Sequence, residues 1–357
     1  MPPLRVGLIG CGFIGRFHST AIRNVARHSG LDVEYAAVCD LDENRARSFA
    51  EAADVPTVST DPDELIDSPD IDVVYICLPT SEHKRLVLRA AERGKHVFCE
   101  KPLSTDLASV EEMVRAVENA GVDAGVGLVL RHSPVLTVLK SLMEDPTLGR
   151  LMAIVFRDDQ FFPIQGHYSS DWRADKEQAG AGTLLEHSIH DVDVLRWLGG
   201  EIISVRGSTR NFAGYDGIED LAMARFDFES GAQADLVSVW HNVLGRPSTR
   251  RIEVFMENAV FSTDHDFLGP ISVQAHAKTR EEISEEEVRR RYLEAVGMVG
   301  SDYADGLAYS FEDYFFLKSV IEDKRPFPDF RVALEAHRVV DAVYRSAASG
   351  GDEITLA

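Results

Sequence analysis

Three residues in a row, Glu100, Lys101 and Pro102, follow a short run of strand-forming residues from His96 to Cys99. Proline has no backbone N–H and keeps the preceding residue extended, so the strand is predicted to end here. In a parallel α/β sheet, ligands bind beyond the carboxyl ends of the strands. A lysine placed there can exchange a proton with a substrate or hydrogen-bond its hydroxyl group. Lys101 is therefore a candidate catalytic side chain. The alternative is a solvated Glu–Lys pair.

A second group of ionisable residues lies in a mostly apolar stretch from Gly180 to Leu198, which we predict to be one long helix. Residues three and four positions apart share a helix face, so Glu186, His187 and His190 are expected to lie together. A mostly apolar helix is buried, and its ionisable residues then need partners or a pocket. We predict a functional site here rather than core packing. No metal is predicted, because three adjacent ligands on one helix lack a full coordination set.

A glycine-rich turn, Gly10-Cys11-Gly12-Phe13-Ile14-Gly15, joins an apolar run of strand length to a helical pattern. In that setting the first glycine makes the turn, the second lets the backbone approach a pyrophosphate, and the third lets helix and strand pack closely. The helix N-terminus offers free N–H groups and a positive dipole end to phosphates. We predict that Gly10, Gly12, Phe13, Ile14 and Gly15 bind a dinucleotide. The alternative is a tight turn without a ligand.

An acidic residue, Asp40, ends the second predicted strand, which spans residues 33–39. A residue in this position accepts hydrogen bonds from the adenosine ribose hydroxyls, and its charge repels a 2′-phosphate. Arg45 and Arg47 lie on the next helix, but no base directly follows Asp40. We therefore predict NAD as the cofactor, with NADP less favoured. The alternative role for Asp40 is to cap that helix, although Asp42 can do so instead.

The strand predicted at residues 72–77 ends close to a further group of candidate cofactor contacts. Ser81 is predicted to cap the following helix, which leaves Thr80 and His83 facing the cofactor. An ordinary surface position on the helix is the alternative for His83. The predicted cofactor contacts at these strand ends are Pro79, Thr80, His83, Glu100 and Lys101.

The elements that carry these residues fall into two patterns. Strands and helices alternate up to a sixth apolar strand at 122–130, which predicts a doubly wound parallel sheet. From Arg150 onward longer strands and Gly-containing turns predict one large, mostly antiparallel open sheet. We predict an α/β protein with a Rossmann domain at 1–130 and an α+β domain at 131–357, whose C-terminal helix can pack back on the first. The charged segment 281–291 is predicted to be a solvated helix face or a loop, and helices are predicted at 309–322 and 333–347. The strands of the second half are predicted at 151–156, 202–210, 221–228, 232–240, 250–256, 260–263 and 271–275.

The composition of the 357-residue chain narrows the classes of partner. Its net charge of -22 argues against nucleic acid or an anionic membrane, since both require a basic surface. No apolar run approaches the ~20 residues of a membrane span, and the N-terminus has no signal-peptide form. The four cysteines match no zinc motif and are too few for a disulfide scaffold, so we expect reduced thiols in a cytoplasmic protein.

The glycine-rich turn, the Glu100-Lys101-Pro102 motif and the stretch 181–191 occur in this order at spacings that resemble the glucose–fructose oxidoreductase / inositol dehydrogenase / rhizopine-catabolism (Gfo/Idh/MocA) family. The resemblance covers nearly the whole chain. It implies an N-terminal Rossmann domain and a C-terminal domain that binds substrate and pairs subunits as a dimer or tetramer. It also implies NAD(P)-linked oxidation or reduction of a sugar, inositol or related polyol.

The resemblance assigns roles to individual residues. Lys101 maps onto the family's catalytic or substrate-holding lysine, and His190 onto the histidine of its catalytic helix. Glu186 stands where an aspartate is usual, and His187 where glycine is common. On this hypothesis His190 accepts the hydroxyl proton as hydride leaves, Glu186 orients its ring, and Lys101 stabilises the charge on oxygen. Lys101 as the base is the alternative.

Other polar and aromatic residues precede or neighbour this stretch and are predicted to touch the substrate. For Trp172 a core role is the alternative. Two further functions remain open, namely a non-catalytic NAD-sensing regulator on the same fold and a bilin- or dihydrodiol-type NADP reductase. The predicted substrate contacts are Lys101, Arg131, Tyr168, Trp172, Arg173, His187 and His190.

Overall fold

The structure is a computed structural model that describes residues 2–305 and 311–356 of the chain. It divides into two compact units. The first comprises residues 2–128 together with Phe311–Leu334, and the second comprises residues 129–304 and 335–356. Among the described residues, no helix has both the length and the apolar character that crossing a membrane requires.

The first unit is built on a six-stranded parallel sheet with the order β3-β2-β1-β4-β5-β6. The strand order reverses between β1 and β4, which is where doubly wound sheets bind their ligands. The predicted Rossmann-type sheet is confirmed. The elements are β1 (Leu4–Ile9), α1 (Phe13–His28), β2 (Val33–Cys39), α2 (Glu43–Ala53), β3 (Thr57–Ser59), α3 (Pro62–Asp67), β4 (Val73–Ile76), α4 (Thr80–Glu92), β5 (His96–Cys99), α5 (Leu107–Ala120) and β6 (Ala124–Val126).

Side-chain caps explain where several of these helices begin. Asp42 accepts hydrogen bonds from the backbone at the start of α2, as predicted, and Asp106 does the same for α5. The prediction that Ser81 caps α4 is wrong, because the helix already begins at Thr80, after Pro79. Proline supplies the fixed φ angle that suits a helix start, so no side-chain cap is needed there.

The sixth strand is shorter than predicted. It covers only Ala124–Val126, and Val129–His132 forms a 3₁₀ turn that leads to the helix Pro134–Met143. Apolar residues alone do not distinguish a short buried strand from a buried turn, which explains the error.

The second unit contains a nine-stranded sheet with the order β14-β13-β12-β11-β7-β10-β9-β8-β15. Every pairing is antiparallel except the one between β7 and β10, which confirms a mostly antiparallel sheet. The strands are β7 (Leu151–Phe161), β8 (Ile202–Arg210), β9 (Leu221–Phe228), β10 (Gln233–His241), β11 (Thr249–Met256), β12 (Ala259–Thr263), β13 (Ile271–Ala275), β14 (Glu281–Ile283) and β15 (Ile354–Thr355).

Strand β7 is longer than predicted, and its polar side chains explain the difference. It was expected to end at Phe156, yet it continues to Phe161. The added residues include Asp158, Asp159 and Gln160, all of which are buried. These charged or polar side chains interrupt the apolar pattern that predicts a strand, although partners within the unit compensate their buried charge or polarity. The charged segment 281–291, predicted to be a solvated helix face or a loop, forms strand β14 and the start of the helix Glu285–Ala295.

The remaining helices follow the same order along the chain. The predicted helix at 309–322 is observed from Glu312, and its residues 309–310 lie outside the described part. The last helix begins at Phe330, three positions before its predicted start. These helices are α6 (Pro134–Met143), α7 (Lys176–Ala179), α8 (Thr183–Glu186), α9 (Ile189–Gly199), α10 (Glu285–Ala295), α11 (Asp302–Asp305), α12 (Glu312–Ile321) and α13 (Phe330–Ala348).

The predicted single helix from Gly180 to Leu198 is wrong. The chain forms α8, leaves helical geometry at His187 (φ -122°, ψ -59°), and resumes as α9. The Ser188 hydroxyl in this break lies 3.2 Å from Asp158 Oδ2 and 2.6 Å from Ser238 Oγ, both on the sheet. The hydrogen bonds to the sheet offset the backbone bonds lost at the break.

The large sheet has two different faces. Helices α8 and α9 pack on the face that carries Asp158 and Ser238. Side chains alternate between faces along a strand, so Val155, Met223 and Val260 lie on the opposite face. These three side chains are 43%, 48% and 38% exposed.

A buried ion pair fixes α9 to the segment before α6. The Arg131 guanidinium donates two hydrogen bonds of 2.7 Å to the Asp193 carboxylate, and both side chains are almost fully buried. The same guanidinium lies 5.4 Å from the centroid of the Trp197 ring. Arg131 therefore has a structural partner, which the prediction of a substrate contact did not anticipate.

Replacing Arg131 by Met should lower the stability of the second unit by about 3–5 kcal/mol, because the Asp193 carboxylate would stay buried without its cation. The three tryptophans, Trp172, Trp197 and Trp240, all belong to this unit, so urea unfolding followed by their fluorescence reports it. Arg225→Met is the matched control, since the exposed Arg225–Asp235 pair should contribute less than about 1 kcal/mol. Unchanged stability of Arg131→Met would contradict the structural role.

Candidate active site

The glycine-rich turn has the geometry of a phosphate cradle. Gly10 has a φ of +103°, and a Cβ there would collide with the Cys77 carbonyl. A Cβ at Gly15 would overlap the Gly10 carbonyl oxygen, whereas the space over Gly12 is open. Helix α1 begins at Phe13, with neither a side-chain cap nor an acidic residue in its first turn. Its first N–H groups can therefore bind a pyrophosphate, and the turn fits a dinucleotide.

Asp40 lies beside this turn and is mostly buried. Its Oδ2 accepts a hydrogen bond of 3.0 Å from the Cys11 N–H, and its Oδ1 accepts one of 3.0 Å from the Asp42 N–H. Arg45 reaches both carboxylate oxygens at 3.4 Å. The Asp40 carboxylate thus fixes the turn. Arg45, a base that could compensate the charge of a 2′-phosphate, lies closer to Asp40 than the sequence indicated.

The predicted contacts around α4 are mostly buried. Thr80 is 1% exposed. Both ring nitrogens of His83 lie 2.9 Å from backbone carbonyls, those of Leu78 and Pro102. Burial lowers the pKa of His83, although the carbonyls oppose it. The surface alternative for His83 is wrong, and its hydrogen-bonding atoms are directed at the turns after β4 and β5 rather than at a ligand.

Lys101 follows the end of β5 and is half-buried. Its backbone N–H donates a hydrogen bond of 3.0 Å to Oε2 of the preceding Glu100. The other carboxylate oxygen of Glu100 lies 2.9 Å from Nε2 of His18, a buried residue of α1. Although burial disfavours the charged carboxylate, His18 and Lys101 hold the pKa of Glu100 below its usual range.

In the second unit, Glu186 ends α8 and is 1% exposed. Its Oε2 accepts a hydrogen bond of 3.2 Å from Arg173 Nε. The Arg173 guanidinium also lies 4.3 Å from the centroid of the Trp172 ring, which packs on a small core cluster. The structure thus favours the core role for Trp172 and pairs Arg173 with Glu186. That Glu186 orients His190 stays a prediction.

His187 is the most exposed of the three ionisable residues in this region. Its Nε2 lies 2.9 Å from Asp158 Oδ2 and 3.1 Å from an Arg250 nitrogen. Arg250 is buried and also contacts Asp191 and Asp266, each at 2.7 Å. This arginine therefore holds three carboxylates and a histidine in one network.

The network contains a carboxyl group that titrates near neutral pH. Burial raises the pKa of Asp191 to about 7; Arg250 opposes this shift and the adjacent Asp158 adds to it. Burial also raises the pKa of Asp158. The two carboxyl groups can share one proton, as paired acids do.

His190 and Tyr168 complete the predicted substrate contacts. His190 lies in the first turn of α9 and is 7% exposed, so its ring is enclosed rather than solvated. Tyr168 is half-buried, and its ring lies 4.2 Å from the His167 ring and 5.5 Å from the Phe161 ring. Burial raises the pKa of Tyr168, which keeps its hydroxyl neutral and able to donate a hydrogen bond.

One group in the described residues has ligand atoms close enough together for a metal ion, namely His18, Glu312 and Asp313. The two ring nitrogens of His18 lie 2.9 Å from Glu100 and 2.8 Å from Asp313. Both nitrogens must carry protons to donate these hydrogen bonds, which leaves no lone pair for a metal. The chemistry of this group therefore favours an ion-pair network.

Several charged residues here were not found from the sequence. His18 lies one turn beyond the glycine motif, Asp313 lies on α12, and Asp158 and Arg250 pair across β7 and β11. Sequence spacing does not connect residues so far apart. A signal was nevertheless present for Asp158 and Arg250, since each is a charged residue among strand-forming neighbours.

Comparison with known proteins supports one family over most of the chain. Residues 4–128 match the model described as "Oxidoreductase family, NAD-binding Rossmann fold", and residues 136–262 match "GFO/IDH/MocA C-terminal domain". Myo-inositol 2-dehydrogenase of Thermotoga maritima is 32% identical, over 71% of this chain and 72% of its own. Levoglucosan dehydrogenase of Pseudarthrobacter phenanthrenivorans is 26% identical, over 98% and 97%.

A solved structure of levoglucosan dehydrogenase in complex with NADH and levoglucosan has a TM-score of 0.86, with 23% identity over 99% of both chains. That likeness shows the shared fold. The two family models, together with the relative that is 32% identical over 71% of this chain, show that the chain belongs to the Gfo/Idh/MocA family of NAD-binding oxidoreductases.

Proposed function

We propose that this protein transfers a hydride reversibly between a nicotinamide cofactor and a carbinol or carbonyl carbon of a sugar, inositol or related polyol. The proposal rests on one observation, namely that the glycine cradle and Lys101 lie at the same edge of the parallel sheet. The glycine cradle follows β1, and Lys101 follows β5, held by the buried Glu100. The names of relatives, among them inositol, levoglucosan and anhydrofructose enzymes, support the substrate class.

The proposed chemistry assigns separate roles to the cofactor, Lys101 and His190. NAD, when bound, supplies the hydride acceptor or donor. Lys101 hydrogen-bonds the reacting oxygen and stabilises its developing charge, and His190 accepts its proton. Because the His190 ring is enclosed, the proton that it accepts exchanges slowly with water. We also propose that residues 1–130 bind the cofactor, and that residues 131–357 bind substrate and pair subunits.

The sequence leaves two other functions open. A non-catalytic NAD-sensing regulator would not require Lys101 and His190 together, so turnover of any polyol would eliminate it. An NADP reductase of bilin or dihydrodiol type is disfavoured by the Asp40 carboxylate beside the cradle. We also propose a cytoplasmic location, which four buried free cysteines support.

A cofactor-reduction screen over inositols, aldoses, and amino and deoxy sugars tests the proposal. At least one of these polyols should reduce NAD at a rate that depends on enzyme concentration. Once such a substrate is found, Lys101→Met and His190→Ala should each lower turnover by roughly two or more powers of ten. NAD affinity by calorimetry should stay within a few-fold, because neither residue belongs to the cradle.

If the two residues act as one unit, the double variant should lose much less than the product of the single losses. A Lys101→Met enzyme with near-normal turnover would contradict the catalytic assignment.

Cofactor choice is tested at Asp40. Asp40→Ala should shift relative affinity toward NADP by about tenfold or more, because it removes a repelling charge and frees Arg45 for the 2′-phosphate. Asp40→Asn is the control for loop geometry, since its amide oxygen can still accept a backbone hydrogen bond. Adding Arg45→Ala should abolish the gain. Wild-type protein that binds NADP as tightly as NAD would contradict our reading of Asp40.

The open face of the nine-stranded sheet supports a dimer or tetramer. A stable interface buries about 800 Å² on each partner, and the exposed apolar side chains of Val155, Met223 and Val260 would lie within it. The double variant Val155→Lys/Met223→Lys should therefore shift the light-scattering mass toward the monomer. Val299→Lys, at a 68% exposed apolar residue outside the sheet, should not. Monomeric wild type at micromolar concentration would rule out the assembly.

A further inference from the structure

A buried chain of three charged side chains lies behind the backbone of Lys101. His18, Glu100 and Asp313 are 3%, 7% and 7% exposed. The histidine ring bridges the two carboxylates, and only its doubly protonated form can donate to both. Burial works against that charge, but Asp313 and Glu100 outweigh it and raise the pKa of His18 well above its usual value.

Aromatic rings enclose this chain of charges. The His18 ring lies 4.9 Å from the Phe98 ring and 5.6 Å from the Tyr75 ring, and Phe316 packs against both of those rings. Such surroundings screen charges poorly, so each charge is felt strongly by its neighbours. A side chain at Gly127 would meet the Glu100 carboxylate at 2.7 Å, so glycine there is what leaves room for it.

The other titratable groups near His18 carry no charge that would alter this balance. Burial raises the pKa of Glu312 well above its usual value, so this neighbour of Asp313 is neutral. Burial likewise raises the pKa of Cys77, which stays a thiol. The Tyr75 ring lies 5.6 Å from the His18 ring and is tilted by 51° relative to it. The charges that remain are those of His18, Glu100, Asp313 and Lys101.

We propose that His18 is a positioning residue for Lys101: its ring holds the Glu100 carboxylate, which holds the Lys101 backbone and sets the charge beside its side chain. The proposal rests on the proposed catalytic role of Lys101. It links α1, which carries the dinucleotide cradle, to the strand end that carries the lysine. His18 itself touches neither cofactor nor substrate in this scheme.

The His18→Gln variant separates the effect of the positive charge of His18 from the effect of its hydrogen bond to Glu100. The glutamine amide can still donate to Glu100, but the positive charge is lost. The Glu100 carboxylate keeps its hydrogen bond from the Lys101 N–H and the nearby charge of Lys101, both of which favour its ionised form. Without the cation of His18, the charge of Glu100 acts more strongly on Lys101, which favours the protonated form of the lysine.

In the pH profile of kcat/KM, the limb that reports the ionisation of Lys101 should therefore move to higher pH by about 0.5–1 unit. Turnover at neutral pH should fall about 10- to 100-fold, the scale of a misplaced catalytic group. KM for the polyol found in the screen, and NAD affinity by calorimetry, should change by no more than a few-fold.

Asp313→Asn is the matched control. Asp313 is as buried as Glu100 and contacts the same ring, but the asparagine leaves the His18–Glu100 hydrogen bond in place. It should lower the unfolding midpoint about as much as His18→Gln does. The pH limb should move less than in His18→Gln, because the His18–Glu100 hydrogen bond remains.

Each outcome bears on one of the two proposals. If Lys101→Met loses turnover but His18→Gln keeps the wild-type pH profile and kcat, the positioning role is overturned and the proposed function stands. If Lys101→Met turns over normally, the proposed catalytic assignment fails first. Should His18→Gln not fold, Glu100→Gln makes the same test with the opposite sign. Its limb should move to lower pH, and an unmoved limb would overturn the inference.

Discussion

Buried carboxylates that require a matched cation determine how both units hold their candidate site residues. An unpaired buried carboxylate costs several kcal/mol, so the fold depends on each partner being in place. In the first unit His18 lies between Glu100 and Asp313. In the second, Arg131 holds Asp193, Arg173 holds Glu186, and Arg250 holds a group of carboxylates.

These pairs also tie distant parts of the sequence to each site. Arg250 comes from β11, Asp158 from β7 and Asp191 from α9, and the contact of Arg250 with Asp191 is 2.7 Å. Substituting Arg250 would leave the carboxyl groups of Asp158 and Asp191 buried together without their cation. A site built in this way is rigid because misplacing a side chain exposes a charge to a poorly screened interior.

The sequence predicted the first unit well because its elements obey local rules. The glycine-rich turn, helix caps such as Asp42 and a proline after β5 can each be recognised within a few residues of sequence. Prediction failed where a long-range partner determines the backbone. The break at His187 depends on Ser188 reaching Ser238 in the sheet, and the extension of β7 depends on Arg250 and Arg246 compensating its buried acids. No periodicity within the segment itself encodes such partners.

The two positions where this chain departs from its family's usual residues are informative for the same reason. Glutamate at 186 is one methylene longer than aspartate, and its Oε2 bonds Arg173 from the loop before α7. Histidine at 187, where glycine is common, adds a ring that contacts both Asp158 and Arg250. Both substitutions join the motif to residues outside it. Substrate preference in this protein is therefore expected to depend on the loop around Arg173 and on β11 as much as on Lys101 and His190. In the proposed function Lys101 and His190 carry the reaction, and we propose that the contacts of Glu186 and His187 influence which hydroxyl group can approach.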